Sequence, residues 1–564
     1  MVGKVIVVRD MAGSDETNID FFTRYFGEVA DSLSLAAETL DEPALPDDLR
    51  AAADAVVLGF NEAVQPATVE KLRRFVGAGG RLLGAGRLAV GVDEIMGLRQ
   101  TGTVVQRDAL DPVFAGILPE PGRLPPAGDY AAFTRWLPYE APVVELAGPG
   151  EVAARWAGEG GVARKESAVV TTPAGVFVSY LWFRGGSPAQ RDLLEGAFRA
   201  LLPGCAIARK PDPVWRTDHP APVPPKEHRG VWSHARGLFA SGKNWDETCA
   251  LLQERGVTDL YMLSAWPGAA FYESDLIPHA PHVAKYGDLL KQATDGAHAH
   301  GIRMHAWIVY WRVDLYADKA LVARERAAGR LQVDRAGNPK DWYCPSDSEN
   351  RKKMADIASE IASRGVDGVM HDFIRLDGND CCYCERCRRL FEERVGRKVD
   401  FPADVQEDGP LYDAWLDYRS AQISSVVEDV SRRVRQVNPK IVISAATLNK
   451  SMFRSARPDL WRGFWNGGAG QDSARWLKEK WVDYICPMNY RMKDWEDMRN
   501  LASLQNALAP GRVYPGIGVA MGTYPGGDAA RLAEMRDAVR AAGCAGSTLY
   551  VLDVYRLEFL PKWW

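Results

Sequence analysis

Two apolar patterns alternate along most of the chain. Short continuous apolar runs recur at Gly230–His234, Thr258–Ser264, Ile302–Val309, Gly368–Phe373, Ile441–Ala446, Val482–Met488, Val513–Ala520 and Ser547–Leu552. Between them lie segments with an apolar residue at every third or fourth position: Trp245–Arg255, Tyr286–His300, Asn350–Arg364, Tyr412–Val437, Ala474–Lys480, Met498–Ala509 and Asp528–Ala542. An uninterrupted apolar run suits a parallel strand covered on both faces. A period near 3.6 marks an amphipathic helix. Eight such strand–helix units predict a (β/α)8 TIM barrel over residues 229–564, with its chemistry at the C-terminal ends of the strands.

The first 207 residues alternate differently. Val5–Val8 and Ala55–Phe60 are strand-like, Val69–Val76 is amphipathic, and Arg81–Gly84 follows as another strand. Ala168–Tyr180 reads as a hairpin and Ala189–Leu202 as a closing helix. This is a doubly wound α/β pattern. The run VVLGFNEAVQPATVEKLRRFVGAGGRLLGAG resembles the class I glutamine-amidotransferase-like (flavodoxin-like) domains that accompany carbohydrate-active enzymes. In active members, the resemblance implies a Cys on a sharp turn and a later His. Here Gly84-Ala85-Gly86 occupies that turn, Cys205 is the only cysteine of this part, and no His precedes His219. The domain is therefore expected to be catalytically silent and to serve packing or assembly, including a homo-oligomer formed through it. Between the parts, residues 208–228 carry six prolines (Pro211, Pro213, Pro220, Pro222, Pro224 and Pro225) and read as an extended linker.

Composition narrows the function. Of 564 residues, 46% are hydrophobic and 25% charged, as in ordinary globular proteins, and the net charge is −5. That balance argues against a nucleic-acid partner. No apolar run reaches membrane-span length, so no membrane partner is expected. The N-terminus lacks a signal-peptide pattern, which leaves a cytoplasmic protein or a secreted one with its signal removed. Fifteen of the 18 tryptophans lie after residue 214. Aromatic faces stack on sugar rings, although large core residues also fill barrels.

Read in order, the strand ends present His234 and Arg236; Trp266, then Tyr272, Glu273 and Asp275; His305, Trp307, Tyr310 and Arg312; His371, Asp372 and Arg375; Thr447-Leu448-Asn449; Asn489 and Tyr490; and Asp553. Glycoside hydrolysis needs a protonated carboxyl, a second carboxylate, and polar and aromatic groups that hold the sugar. Strand alternation places Gly368, Met370 and Asp372 on one face, which makes Asp372 the first candidate acid. Asp553, at the end of the last strand, is the favoured partner, and Glu273 the next. His234, Arg236, Trp266, Tyr272, His305, Trp307, Tyr310, Arg312, His371, Arg375, Asn489 and Tyr490 are the candidate substrate-binding residues. No cofactor is expected for catalysis, and the expected partner is an oligo- or polysaccharide.

The blocks FYESDLIPHAPHVAKYGDLLKQATDGAHAHGIRMHAWIVYWRV, GVDGVMHDFIRLDG and VDYICPMNYR resemble the glycosyl-hydrolase-like family ten, a TIM-barrel family. The resemblance spans most of residues 229–555. It implies that Asp372 is the fourth-strand acid, that His305 and Arg312 are the third-strand positions, and that Asn489 and Tyr490 are the sixth-strand pair. Val309, Tyr310 and Glu273 stand where the family carries Asn, Pro and Pro.

Two further readings stay open. The fifth strand ends in Thr447-Leu448-Asn449, with no acid, which fits a carbohydrate-binding protein on a degenerate barrel. His234, His305, His371 and Asp372 form a ligand set for a metal-dependent hydrolase or deacetylase, although no HxxxH or HExxH spacing occurs. Separately, Cys381, Cys382, Cys384 and Cys387 crowd into seven residues and predict a structural zinc; reduced thiols or a local disulfide are the alternatives. Cys344 is a candidate to complete the set, although nothing in the spacing connects it to them.

Overall fold

The structure is a computed structural model that describes residues 3–9, 26–27, 29–59, 61, 63–106, 116–124, 131–132, 139–158, 162–179, 188–210, 223–234, 244–313, 317–378, 380–461, 469–490, 492, 494–518 and 529–550. The chain divides into two compact units, one built mainly on residues 1–215 and the other mainly on residues 216–518 and 532–553.

In the first unit, a nine-stranded mixed sheet has a parallel part and an antiparallel part. The parallel part runs Ala36–Asp41, Lys4–Arg9, Ala55–Leu58, Arg81–Ala85 and Gly175–Val178 in spatial order. Ala163–Thr172, Glu151–Ala157, Gly116–Pro119 and Ala131–Ala132 extend it antiparallel. The strand Lys4–Arg9 alternates between two cores: Val5 and Val7 pack with Phe198 and Leu201 on one face, Ile6 and Val8 with Leu72 and Phe75 on the other. Apolar residues on successive positions follow from burial on both faces. The helix Pro66–Gly77 starts with Pro at its first turn, where no amide partner is lost. After Ala85, Gly86 turns the chain at φ 72.

The second unit is a closed barrel of eight parallel strands. In chain order they are His228–Ser233, Asp259–Trp266, Arg303–Val309, Gly368–Asp372, Val442–Leu448, Tyr484–Met488, Gly516–Gly518 and Gly546–Tyr550. The first strand pairs with both the second and the eighth, which closes the ring. Each expected strand is present, shifted by at most a few residues. Helices Leu289–Ala299, Ser348–Ala362, Ser473–Lys478 and Trp495–Leu508 follow the second, third, fifth and sixth strands. Each starts with an Asp side chain (Asp288, Asp347, Asp472, Asp494) accepting from a first-turn amide. Asn244 and Glu247 form a reciprocal capping box on Trp245–Glu254.

One helix differs from its expected form. The segment expected to be helical over Tyr286–His300 is broken at Gly287, whose φ of 81 ends the short helix Pro281–Tyr286 before Leu289–Ala299 begins. Among the described residues, no helix is long and apolar enough to cross a membrane.

Candidate active site at the strand ends

Side chains that point into the barrel come from alternate positions of each strand, and they stack in layers. The lowest layer contains Asp259, which is fully buried. Its carboxylate accepts from His305 Nε2 at 2.8 Å, Arg303 Nη2 at 2.9 Å and Thr258 Oγ1 at 2.6 Å, with His228 Nδ1 at 3.2 Å. Tyr514 stacks on the His228 ring at 4.1 Å, and Tyr261 Oη lies 2.9 Å from its Nε2. Burial works to raise the Asp259 carboxyl, but its neighbours His228, His305 and Arg303 outweigh burial and hold it far below the usual range. In the middle layer, Trp232 Nε1 donates to Met370 Sδ at 2.9 Å.

The top layer contains Asp372. Trp307 Nε1 donates to its Oδ2 at 2.9 Å, and the Phe373 amide donates to its Oδ1 at 2.6 Å. Only 6% of the residue is exposed, and burial pushes the carboxyl up to about 6. The Phe373 amide, the Arg375 charge and Trp307 pull the other way without cancelling that effect. Phe373 itself sits at φ 50, a conformation L-residues seldom adopt, so strain is stored next to the acid.

Aromatic rings line this end of the barrel. Trp307 packs on His234 at 4.8 Å and meets Tyr550 edge-on at 6.2 Å, while Tyr550 stacks on Tyr490 at 4.9 Å. Trp232 meets both tyrosines edge-on. On the other side, Trp266 and Trp342 flank Phe373, and the Arg375 guanidinium lies 4.9 Å from the rings of both Trp342 and Phe373. Arg312 is close enough for its charge to bear on Arg375. Thus Asp372, His234, Trp266, Trp307, Arg312, Arg375 and Tyr490 come together. Trp232, Trp342, Phe373 and Tyr550 join them without having been singled out from sequence. Trp232 and Tyr550 could have been found by applying strand alternation to the first and eighth strands.

Six expected site residues lie elsewhere. His305 is two positions below Trp307 on the inward face, where it serves Asp259 at the opposite end. His371 precedes Asp372 and so faces outward, 2.7 Å from the Tyr310 hydroxyl, which accounts for both residues. Burial lowers the His371 ring to about 3. Asn489 also faces outward and exchanges two amide hydrogen bonds with Gln505 of the helix Trp495–Leu508. Tyr272 is fully buried and donates to Glu360 Oε2 at 2.7 Å. Glu273 is exposed, its backbone tied to Asp288 and Arg364. The cause is a reversal: Ala269–Ala270 pairs antiparallel with Ala265–Trp266 and carries the chain back along the outer wall. Because His305 and His371 leave the site, the ligand set with His234 and Asp372 does not assemble. Arg236 and Asp553 lie outside the described residues.

The cysteine group also differs. The four sulfurs within 4.8 Å of one another are those of Cys344, Cys382, Cys384 and Cys387. Cys381 is not among them, and Cys344 takes its place.

Residues 227–516 match the family described as Glycosyl hydrolase-like 10. The chain belongs to this family. Within the curated proteins, the glycosyl hydrolase DigH of Escherichia coli strain K12 is 21% identical over 261 residues, covering 42% of this chain and 56% of DigH. This glycosyl hydrolase-like 10 protein therefore spans just over half the length of the curated relatives it matches. Among solved structures, the PgaB (BpsB) glycoside hydrolase domain from Bordetella bronchiseptica is 13% identical with a TM-score of 0.46, covering 59% of this chain and 95% of that one. The β-galactosidase of Marinomonas ef1 is 14% identical with a TM-score of 0.43, covering 57% and 54%.

Proposed function

We propose that this protein is a glycoside hydrolase with Asp372 as its proton donor. The observation that carries the reading is the place of that carboxyl, buried at a strand end and held by Trp307 and the Phe373 amide. Burial pushes it up to about 6, at the C-terminal end of a barrel strand and within a ring of aromatic side chains. A carboxyl with that value retains a protonated fraction near neutral pH, as protonation of a glycosidic leaving oxygen requires. The buried rings of Trp307, Tyr490 and Tyr550 form the apolar wall beside the acid, and Arg375 and His234 are the polar groups set against it for sugar hydroxyls in this reading. Asp553 is the second carboxylate in this reading, acting as nucleophile or as base toward water. The substrate is an oligo- or polysaccharide, and the first unit takes no part in the chemistry.

The test is hydrolysis of a broad glycan panel by the full chain and by Asp372→Asn. Turnover by the wild type that falls by orders of magnitude in the variant is expected. Full activity in the variant would overturn the assignment. A second reading, carbohydrate binding without turnover, is favoured by the fifth strand, Val442–Leu448, whose inward positions Ser444, Ala446 and Leu448 carry no acid. Glycan binding by calorimetry with no product from any glycan in the panel would establish it over the first.

A further inference from the structure

Beside the barrel mouth, two separate pieces of chain bring four buried thiols together. Cys344 follows the strand Pro339–Tyr343, Cys382 lies in the loop after the fourth barrel strand, and Cys384 and Cys387 open the helix Glu385–Val395. The Cys344 sulfur is 3.8 Å from that of Cys382, 3.8 Å from that of Cys384 and 3.6 Å from that of Cys387. A tetrahedral zinc thiolate site, with Zn–S bonds of about 2.3 Å, has sulfur–sulfur edges of about 3.8 Å. A disulfide would need roughly 2 Å. The spacing therefore fits four ligands around a common centre better than any pair of bonded cysteines.

The surroundings suit thiolates. The Val333 amide donates to Cys382 Sγ at 3.4 Å, and Ser346 Oγ lies 3.4 Å from Cys387 Sγ. Cys384 occupies the N-cap position of a helix, the end that favours negative charge. The guanidinium of Arg419 donates to the carbonyls of Gly378 and Cys381 alongside, placing a buried positive charge next to the loop.

We propose that Cys344, Cys382, Cys384 and Cys387 bind one structural Zn2+, and that Cys381 does not take part. The ion joins the hairpin formed by Leu331–Val333 and Pro339–Tyr343 to the loop that leaves Asp372. That hairpin carries Trp342, the ring against Phe373 and Arg375, so the metal acts as a positioning element for the mouth and touches no substrate. Two hydrogen bonds follow the same seam: Asp377 N to Gln332 Oε1 at 3.1 Å and Tyr383 N to Val333 O at 2.7 Å.

The decisive measurement is metal content of the full chain, purified under reducing conditions without chelator. About one zinc per chain is expected in the wild type and in Cys381→Ser, and a loss of most of it in Cys344→Ser and Cys384→Ser. Should those variants fail to fold, the wild type alone suffices: Co2+ in place of zinc should give the absorption of a tetrahedral thiolate site. Zinc below about a tenth per chain, iron in its place, an undiminished content in Cys344→Ser, or a loss in Cys381→Ser would each overturn the proposal. None of these readouts depends on glycosidase activity.

Discussion

Asp259 and Asp372 are buried at opposite ends of the barrel interior, and their surroundings treat them in opposite ways. At the N-terminal end, Asp259 has His305, Arg303 and Thr258 as donors and His228 beside it, and its carboxyl is held far down. At the C-terminal end, Asp372 has two donors among the described residues, Trp307 and its neighbour's amide, and its carboxyl is pushed up to about 6. Burial is common to both; the number and charge of the donors differ. A buried carboxylate surrounded by cations and donors is committed to its ionised form and serves the fold. One with few neutral donors keeps a proton within reach, which costs stability when the group ionises.

That contrast can be broken most directly at Asp372. Asp372→Asn is expected to lower turnover by roughly 10²–10⁴-fold while the chain stays folded. Because the folded carboxyl lies above its usual 3.8, the native state holds the proton more tightly, and stability falls as pH rises between 3.8 and about 6. The asparagine variant escapes this, so it should be more stable than wild type at pH 7.5 by up to about 3 kcal/mol and equal to it at pH 3.5. Denaturant titrations at the two pH values would check this. Equal stability at both would remove the cost of ionisation attributed to Asp372.

The opposite sign is expected below. Asp259→Asn leaves Arg303 and the two imidazoles around a neutral amide and should destabilise the barrel by about 3–5 kcal/mol, read from the unfolding midpoint. A neutral result would mean that the donors are ornamental and that the two ends do not differ as argued.

Acid provides a third test. Burial lowers His228 from its usual 6.5 to about 4, so its contribution to stability is complete above pH 6.5 and disappears as pH falls through 4. The loss reaches at most roughly 3 kcal/mol and opposes the gain from Asp372 over part of the same range. In Asp372→Asn the fall between pH 6.5 and 4 should therefore be steeper than in wild type.

A smaller effect is expected at Trp307. Its indole N–H favours the ionised acid, so Trp307→Phe should raise the Asp372 pKa further, moving the alkaline limb of kcat/KM upward by about one pH unit. The smallest is Glu273→Gln. An exposed side chain on the outer wall should leave kcat/KM within about twofold and stability within about 0.5 kcal/mol. A large loss at Glu273 would return that residue to the site.

Much of this was legible in the chain. The barrel strands are continuous apolar runs because helices or packed interior cover both faces, and such runs mark strands strongly. Asp372 was found because alternation sets Met370 and Asp372 on the inward face. The same alternation turns His371 outward, and counting back from Trp307 places His305 one layer lower. Proximity to a strand end was therefore a weaker guide than parity along the strand. Glu273 and Tyr272 were misplaced because a two-residue antiparallel step, Ala269–Ala270, leaves almost no pattern in sequence. Cys344 could be named as a thiol to complete the set but not joined to it from sequence: nearly forty residues separate it from Cys382, and only the folded hairpin closes that distance.

The smallest residue in the fourth strand ties the two ends together. At Gly368 a Cβ would come within 2.1 Å of the His305 ring nitrogen, and that ring is itself fixed by Asp259. The glycine is a notch into which the imidazole fits. A slip of the strand by one residue that brought Val369 against the ring would put Phe373 in the place of Asp372 and turn the acid out among the helices. The charged cluster at the floor of the barrel thus acts as a keyway: it sets which of two adjacent side chains the mouth presents. Enlarging that one position would press first on the His305 ring and the Val442 carbonyl, and would reach the acid four residues away along the strand.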